Sequence, residues 1–154
     1  MAYSMYRMLC HVARERGFNH YEISNFALPE MESRHNSAYW TLEPYLGLGP
    51  GAHSLGADGI RRYNEPSLKE YMLNPVASIA EEETEEERLD FLLISLRTQS
   101  GLNLSRLNEN RRSQLLAAAE NLPEGTLVRE GDSLRIPESH WLRSDAIIRE
   151  LLFG

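Results

Sequence analysis

The chain has 154 residues, 42% of them hydrophobic, and a formal charge of −7, enough apolar content for one moderate core or two small ones. The acidic balance disfavours nucleic acid as a partner, since that affinity rests on Lys and Arg neutralising phosphates, and no apolar run approaches the roughly 18 residues of a membrane span. Cys10 is the single cysteine, which excludes an internal disulfide, a Cys-x-x-Cys pair and a cluster or zinc site built of several thiolates. With an amphipathic start in place of a secretory signal, the expected location is cytoplasmic.

The first predicted element is a helix over residues 3–16. Met5, Met8, Leu9, Val12 and Ala13 fall at i, i+3, i+4, i+7 and i+8, one apolar stripe, and Gly17 stops it. Residues 18–26 are rich in aromatic and β-favouring types and predict a strand, with Tyr21, Ile23 and Asn25 on one face and Glu22, Ser24 and Phe26 on the other. Helix, glycine and strand form the closing half of an α/β unit, whose strand ends are where polar residues such as Glu22, Ser24 and Asn25 carry chemistry. A lone strand needs neighbours, so its edge and the helix stripe together predict self-association.

Residues 28–63 lack periodicity and are punctuated by Pro29, Pro44, Pro50 and by Gly47, Gly49, Gly51 and Gly56, which predicts a shaped loop region. Ser67 with Glu70, and Thr84 with Glu87, have the capping-box spacing of two helix starts. The second helix turns Leu89, Leu92, Leu93 and Leu96 inward and closes at Gly101. A short helix near 105–108, a longer one near 111–121, a hairpin over 126–136 turning at Gly131-Asp132, and a last helix over 137–152 complete an α+β chain. The sequence therefore divides into 1–73, a linker at 74–83, and a mostly helical, winged-helix-like domain at 84–154. That last domain carries more Asp and Glu than Arg, so DNA reading is disfavoured.

Two constellations could carry chemistry. Gly47-Leu48-Gly49-Pro50-Gly51-Ala52-His53-Ser54 spaces glycines as a loop that brings backbone amides to an anion; no Lys-Ser/Thr follows, Pro50 lacks an amide hydrogen, and a tight packing turn is the alternative. His35, Asn36, Tyr39 and Trp40 group an imidazole, an amide and two aromatic rings that can flank a flat ligand and offer it an axial nitrogen; a packed, hydrogen-bonded histidine is the alternative. His11, His20, His53 and His140 show no ligand spacing, and Cys10 reads as an inert structural thiol. Arg61-Arg62 and Arg111-Arg112 suit oxyanions or solvent, and the acidic run at 81–87 suits a helix N-terminus.

Read consecutively, Gly17-Phe18, His20 to Ala27, Glu32 to Asn36, Tyr39-Trp40 and Tyr45 to Ser54 resemble the heme chaperone branch of the oxygen-independent coproporphyrinogen III oxidase-like family of radical S-adenosylmethionine (SAM) proteins. Leu96-Arg97-Thr98, Gly101-Leu102, Leu104 and Ser144 to Leu151 resemble its C-terminal domain. The resemblance implies the last α/β unit of a partial TIM barrel, ending in a strand at 21–27, followed by a small helical lid. It places Glu22, Ser24, Asn25, Gly47, Gly49, Gly51, His53 and Ser54 near a SAM and substrate cavity, with no catalytic residue assigned. It also implies heme or porphyrin as ligand, with His35 as iron ligand and Asn36, Tyr39 and Trp40 in contact, because the His-Asn-x-x-Tyr-Trp motif goes with the chaperones. The alternatives are a fragment of the related oxidase, which decarboxylates coproporphyrinogen in porphyrin biosynthesis, and a non-enzymatic winged-helix interaction module. The family's Cys-x-x-x-Cys-x-x-Cys motif and Gly-rich SAM strand are not in this sequence. SAM and a [4Fe–4S] cluster are thus implied only for a longer parent, whose N-terminal radical SAM segment is an expected partner of this chain.

Overall fold

The computed structural model describes residues 2–75, 78–81, 89 and 92–153. Helix α1 (Ala2–Glu15) ends as expected at Gly17, whose φ of +79° permits a paired closure: Phe18 N–H reaches Ala13 O and Gly17 N–H reaches Arg14 O, both at 3.0 Å. The expected single strand is instead a hairpin of β1 (Asn19–Glu22) and β2 (Asn25–Ala27), antiparallel with an irregularity between His20 and Glu22. The cause is the Glu22 carboxylate. It accepts the Ser24 N–H at 2.9 Å and the Asn25 side-chain amide at 2.6 Å, folding the chain back where the period of two would have continued.

Residues 34–89 form a compact unit of their own. Helix α2 (Arg34–Trp40) opens it, and a long turn region leads to β3 (His53–Leu55) and β4 (Arg61–Asn64), then to α3 (Leu68–Leu73) and β5 (Ser78–Ala80). The strands pair antiparallel in the order β3-β4-β5. Ser67 caps α3 as its spacing predicts, its Oγ accepting the Glu70 N–H at 3.4 Å. The return bond to the Ser67 N–H comes from Glu65 at 3.3 Å. Between β3 and β4 the Asp58 carboxylate receives both Arg62 terminal nitrogens, at 3.1 and 2.7 Å, and the Ile60 N–H at 3.0 Å.

Residues 1–33 pack with 90–154 as the second unit, a division that differs from a boundary at 74–83. The helix start expected at Thr84 lies outside the described residues. Leu92, Leu93 and Leu96 are buried as expected, but the helix does not run to Gly101: it tightens into a 3-10 turn at Ile94–Arg97. Ser95 Oγ donates to Leu92 O at 2.6 Å and Thr98 Oγ1 to Ser95 O at 2.7 Å, hydroxyls competing for the carbonyls a helix would use. Next come β6 (Leu102–Asn103), a 3-10 turn at Leu104–Arg106, α4 (Glu109–Glu120) capped by Asn108, β7 (Val128–Glu130), β8 (Ser133–Arg135), a 3-10 turn at Glu138–Arg143, and α5 (Ser144–Phe153). These strands pair β6-β8-β7.

The core of this unit gathers Leu93, Leu96, Leu102, Leu104, Leu134, Ile136 and Trp141, all at most 2% exposed. The Trp141 indole donates to Ile136 O at 2.8 Å, so its polar atom is satisfied where it is buried. The second edge of β1 is taken up from within the unit: Gln99 N–H bonds Tyr21 O at 2.9 Å and Ile23 N–H bonds Arg97 O at 3.3 Å. Helix α1 turns Tyr6, Cys10 and Ala13 inward and leaves Met5, Met8 and Leu9 exposed. Among the described residues the strands close no barrel, and no helix is long and apolar enough to cross a membrane.

The Arg62 guanidinium holds the Asp58 carboxyl at about 2, helped by the Ile60 N–H. A carboxyl depressed in the folded state contributes stability that is present above its unfolded value of roughly 4 and is lost as pH falls through about 2. Arg62→Gln should return Asp58 toward the ordinary carboxylate range in an NMR titration of side-chain carboxyls. A value still near 2 in the variant would contradict this pairing.

Candidate functional site

In the unit of residues 34–89 the sequence-predicted aromatic group lies on α2. His35 and Tyr39 are one helical turn apart, as are Asn36 and Trp40, so the two pairs form adjacent rows on the helix surface. The Tyr39 ring meets His35 edge to face, with centroids 4.9 Å apart and planes at 86°. The His35 side chain is exposed, and its ring nitrogens make no hydrogen bond to another described residue. Asn36, Tyr39 and Trp40 are half-buried.

Tyr39 also packs on Tyr45 at 4.5 Å, and Tyr45 is tied to β3 by two backbone bonds with Leu55 at 3.0 Å. That contact joins α2 to the glycine loop. A Cβ on Gly47 would lie 2.1 Å from His53 O, so glycine is required there for backbone to meet backbone. The Gly47 N–H donates to Ser54 Oγ at 3.0 Å, the Gly49 N–H to Tyr71 Oη at 3.3 Å, and the Gly51 N–H to Glu65 O at 3.2 Å. Buried Asn64 then donates its side-chain amide to both Gly47 O and Gly49 O, at 3.2 and 2.9 Å. All three glycine amides are engaged by groups of this unit, one within the loop and two outside it, so the loop has the character of a packed turn. Leu46 and Leu48, where a strand entering the loop would fit the sequence, are 78% and 80% exposed, and only Tyr45 forms a bridge.

His53 faces outward at the start of β3 and pairs through Nδ1 with Glu81, whose other oxygen lies 3.4 Å from Arg61 Nε. Burial raises the Tyr45 hydroxyl above its usual value, opposed by the Arg61 charge. Arg61 and Glu81 were legible only as members of a charged pair and an acidic run. Strand alternation separates them from those neighbours: Arg62 turns to Asp58, whereas Arg61 joins Tyr45 and Glu81.

Glu22, Ser24 and Asn25 belong to the other unit. Glu22 is 3% exposed and is spent on the hairpin turn and on Arg97, whose Nε approaches Oε1 at 3.3 Å outside hydrogen-bond geometry. Arg97 reaches Asp145 as well, at 3.5 Å. Glu22 is thus a buried latch between the hairpin and residue 97. The same unit contains a group that spacing did not reveal: His20, 6% exposed, with Cys10 and Glu138 around it. His20 Nδ1 is 2.9 Å from Glu138 Oε1 and 3.9 Å from Cys10 Sγ, and Nε2 is 3.1 Å from Ile23 O. Burial pushes the Cys10 thiol up. Sequence separations of ten and 118 residues left no motif to find.

Comparison with known proteins relates the chain to heme chaperones. The chain is 34% identical over 143 residues to the heme chaperone HemW of Mycobacterium tuberculosis, 88% of this chain and 35% of that protein. It is 35% identical over 111 residues to the heme chaperone HemW of Bacillus subtilis, 68% of this chain and 29% of that protein. The mitochondrial radical S-adenosyl methionine domain-containing protein 1 of Danio rerio is 45% identical over 62 residues, 38% of this chain and 14% of that protein. The chain spans about a third of the length of the curated relatives it matches. No family model and no solved structure matches it.

Replacing Glu22 by Gln keeps the size of the side chain but sets an NH2 group against either Arg97 or the hairpin donors. A loss of about 1–3 kcal/mol follows from leaving a buried polar group mispaired. It is read as a lowered urea midpoint; an unchanged midpoint would remove Glu22 from its role as latch.

Proposed function

We propose, on the premise that this chain belongs to the C-terminal part of the HemW-like radical SAM family, that it holds heme on α2 with His35 as the iron ligand. The observation that carries this reading is the state of that imidazole: exposed, positioned by Tyr39, and with both ring nitrogens unengaged by described residues. A histidine buried in a core has its ring nitrogens taken up by neighbours, as His20 does with Glu138 and the Ile23 carbonyl. His35 keeps a lone pair for a ligand. Tyr39 and Trp40 offer ring surface to a macrocycle and Asn36 an amide beside it, with Tyr45 supporting Tyr39 from behind. Heme is cargo here, bound before it passes to an acceptor protein.

In a longer polypeptide of this family Gly47, Gly49, Gly51, His53 and Ser54 would serve a SAM and substrate cavity, as Glu22, Ser24 and Asn25 would within their own unit, with the C-terminal elements as a winged-helix-like lid. Glu22 and the three glycines would act there as framework, since their polar groups are used internally. The exposed Met5, Met8 and Leu9 of α1 are then the face through which the missing segment, or a second copy, is met. A [4Fe–4S] cluster does not fit this chain's own donors, because one cysteine cannot supply its thiolates. No radical step is assigned to these residues.

Titrating the purified chain with hemin should give a saturable, shifted Soret band at one equivalent. His35→Ala should weaken binding by about tenfold or more, the scale of effect seen for groups that support a metal. An unchanged Soret band, or identical curves for the two proteins, would overturn the assignment of His35.

A further inference from the structure

The geometry points to a second site, independent of heme: Cys10, His20 and Glu138 form a binding site for a divalent transition cation of the zinc class. One donor atom from each residue lies within 4.8 Å of the other two. Sulfur, imidazole nitrogen and carboxylate oxygen are together the donor set of borderline divalent ions.

The orientation of the buried ring makes the case. Nε2 of His20 faces Ile23 O at 3.1 Å, and that carbonyl already accepts the Tyr6 hydroxyl at 3.1 Å. A carbonyl only accepts, so the Nε2 position carries hydrogen and Nδ1 is the nitrogen turned toward Cys10 and Glu138. A carbonyl behind a histidine is the usual outer support of a metal-bound imidazole, fixing both tautomer and ring plane. The ring has no freedom to turn away: it is stacked on Phe26 at 4.1 Å and 6°, and meets Trp141 edge-on at 4.5 Å. Nδ1 is therefore the ring nitrogen that faces the Glu138 carboxylate oxygen at 2.9 Å, a contact that a positive centre between or beside the two, a proton or a metal ion, would hold.

The spacing suits such an ion. Bond lengths of 2.3 Å to sulfur and about 2.1 Å to nitrogen and oxygen, set tetrahedrally, separate sulfur from nitrogen by about 3.6 Å and nitrogen from oxygen by about 3.4 Å. The structure has 3.9 and 2.9 Å, each within about half an ångström of those separations, and all three donor atoms lie within 4.8 Å of one another. The group opens onto a cleft of about 700 Å³ whose lining includes Tyr6, Cys10, Arg14 and Glu138, which leaves an entry path and room for a water or a fourth ligand. Binding would release the Cys10 thiol proton to solvent as the sulfur takes up the metal. Arg14 is the competitor: its guanidinium lies 3.0 Å from the same Glu138 oxygen, on a side chain that is 65% exposed and free to swing out.

Cobalt(II) is the probe, because Cys10 is the sole cysteine and a thiolate-to-cobalt charge-transfer band can arise from no other residue. One equivalent of cobalt should produce that band, and zinc should bleach it. Cys10→Ser should abolish the band, and Glu138→Gln should weaken cobalt binding by about tenfold or more. Arg14→Gln should tighten it, a change of opposite sign that general loosening of the fold would not produce. All three substitutions sit at the cleft and leave the buried His20 ring intact; circular dichroism of each verifies folding. The site is overturned if no charge-transfer band forms, which would mean that a proton alone holds His20 to Glu138, or if the band is indifferent to Glu138→Gln.

Discussion

His20 must satisfy two ring nitrogens in a place where 6% of its surface meets solvent, and much of its unit is arranged around that requirement. Phe26 comes from β2, Tyr6 and Cys10 from α1, Trp141 and Glu138 from the 3-10 turn near the C-terminus. An imidazole with these neighbours ties three segments together: a shift of the 3-10 turn strands a buried polar atom, at a cost on the order of 1–3 kcal/mol, and a shift of α1 or β2 removes ring contacts. The same requirement explains why β1 buries His20, Tyr21 and Glu22 in succession. Side chains on both faces, and residues 97–99 along its edge, leave none of the three positions facing water.

The other unit is organised by backbone contact rather than by an aromatic core. Asn64, 7% exposed, draws two glycine carbonyls of the 47–49 turn onto β4, and Gly47 permits the approach. Tyr45 issues from that turn and stands behind Tyr39, so the conformation of a glycine loop reaches α2 through one ring contact. His35 is thereby presented on a short helix whose inner side is fixed and whose outer side is open. A fixed support with an outward imidazole suits the proposed capture and release of heme, because binding would then need no reorganisation of the protein.

How much of this was legible depends on the range of the interaction. Gly17, the Ser67 cap, the hairpin at Gly131-Asp132 and the order of the C-terminal elements are set by neighbours a few residues apart, and their patterns are visible in the chain. The fold-back at Ile23 was not, because Glu22, Ser24 and Asn25 look like the tail of an alternating strand until the carboxylate is seen to gather two donors. The 3-10 ending at Ile94–Arg97 follows from hydroxyls at 95 and 98 whose choice of acceptor a helical period does not register. Of the site residues, the His35–Trp40 group stood out by type and spacing. Tyr45, Arg61 and Glu81 join it only once β3, β4 and β5 have paired, and Cys10, His20 and Glu138 meet only through tertiary packing.

The central proposal is a bond between His35 and the iron of heme. Resonance Raman spectra of the ferrous heme complex measure that bond directly. An iron–imidazole stretch that shifts when the protein's histidines carry nitrogen-15, and that is missing from the His35→Ala complex, is the predicted result. The same stretch in the variant, or none in the parent, would place the iron elsewhere and contradict the reading of α2.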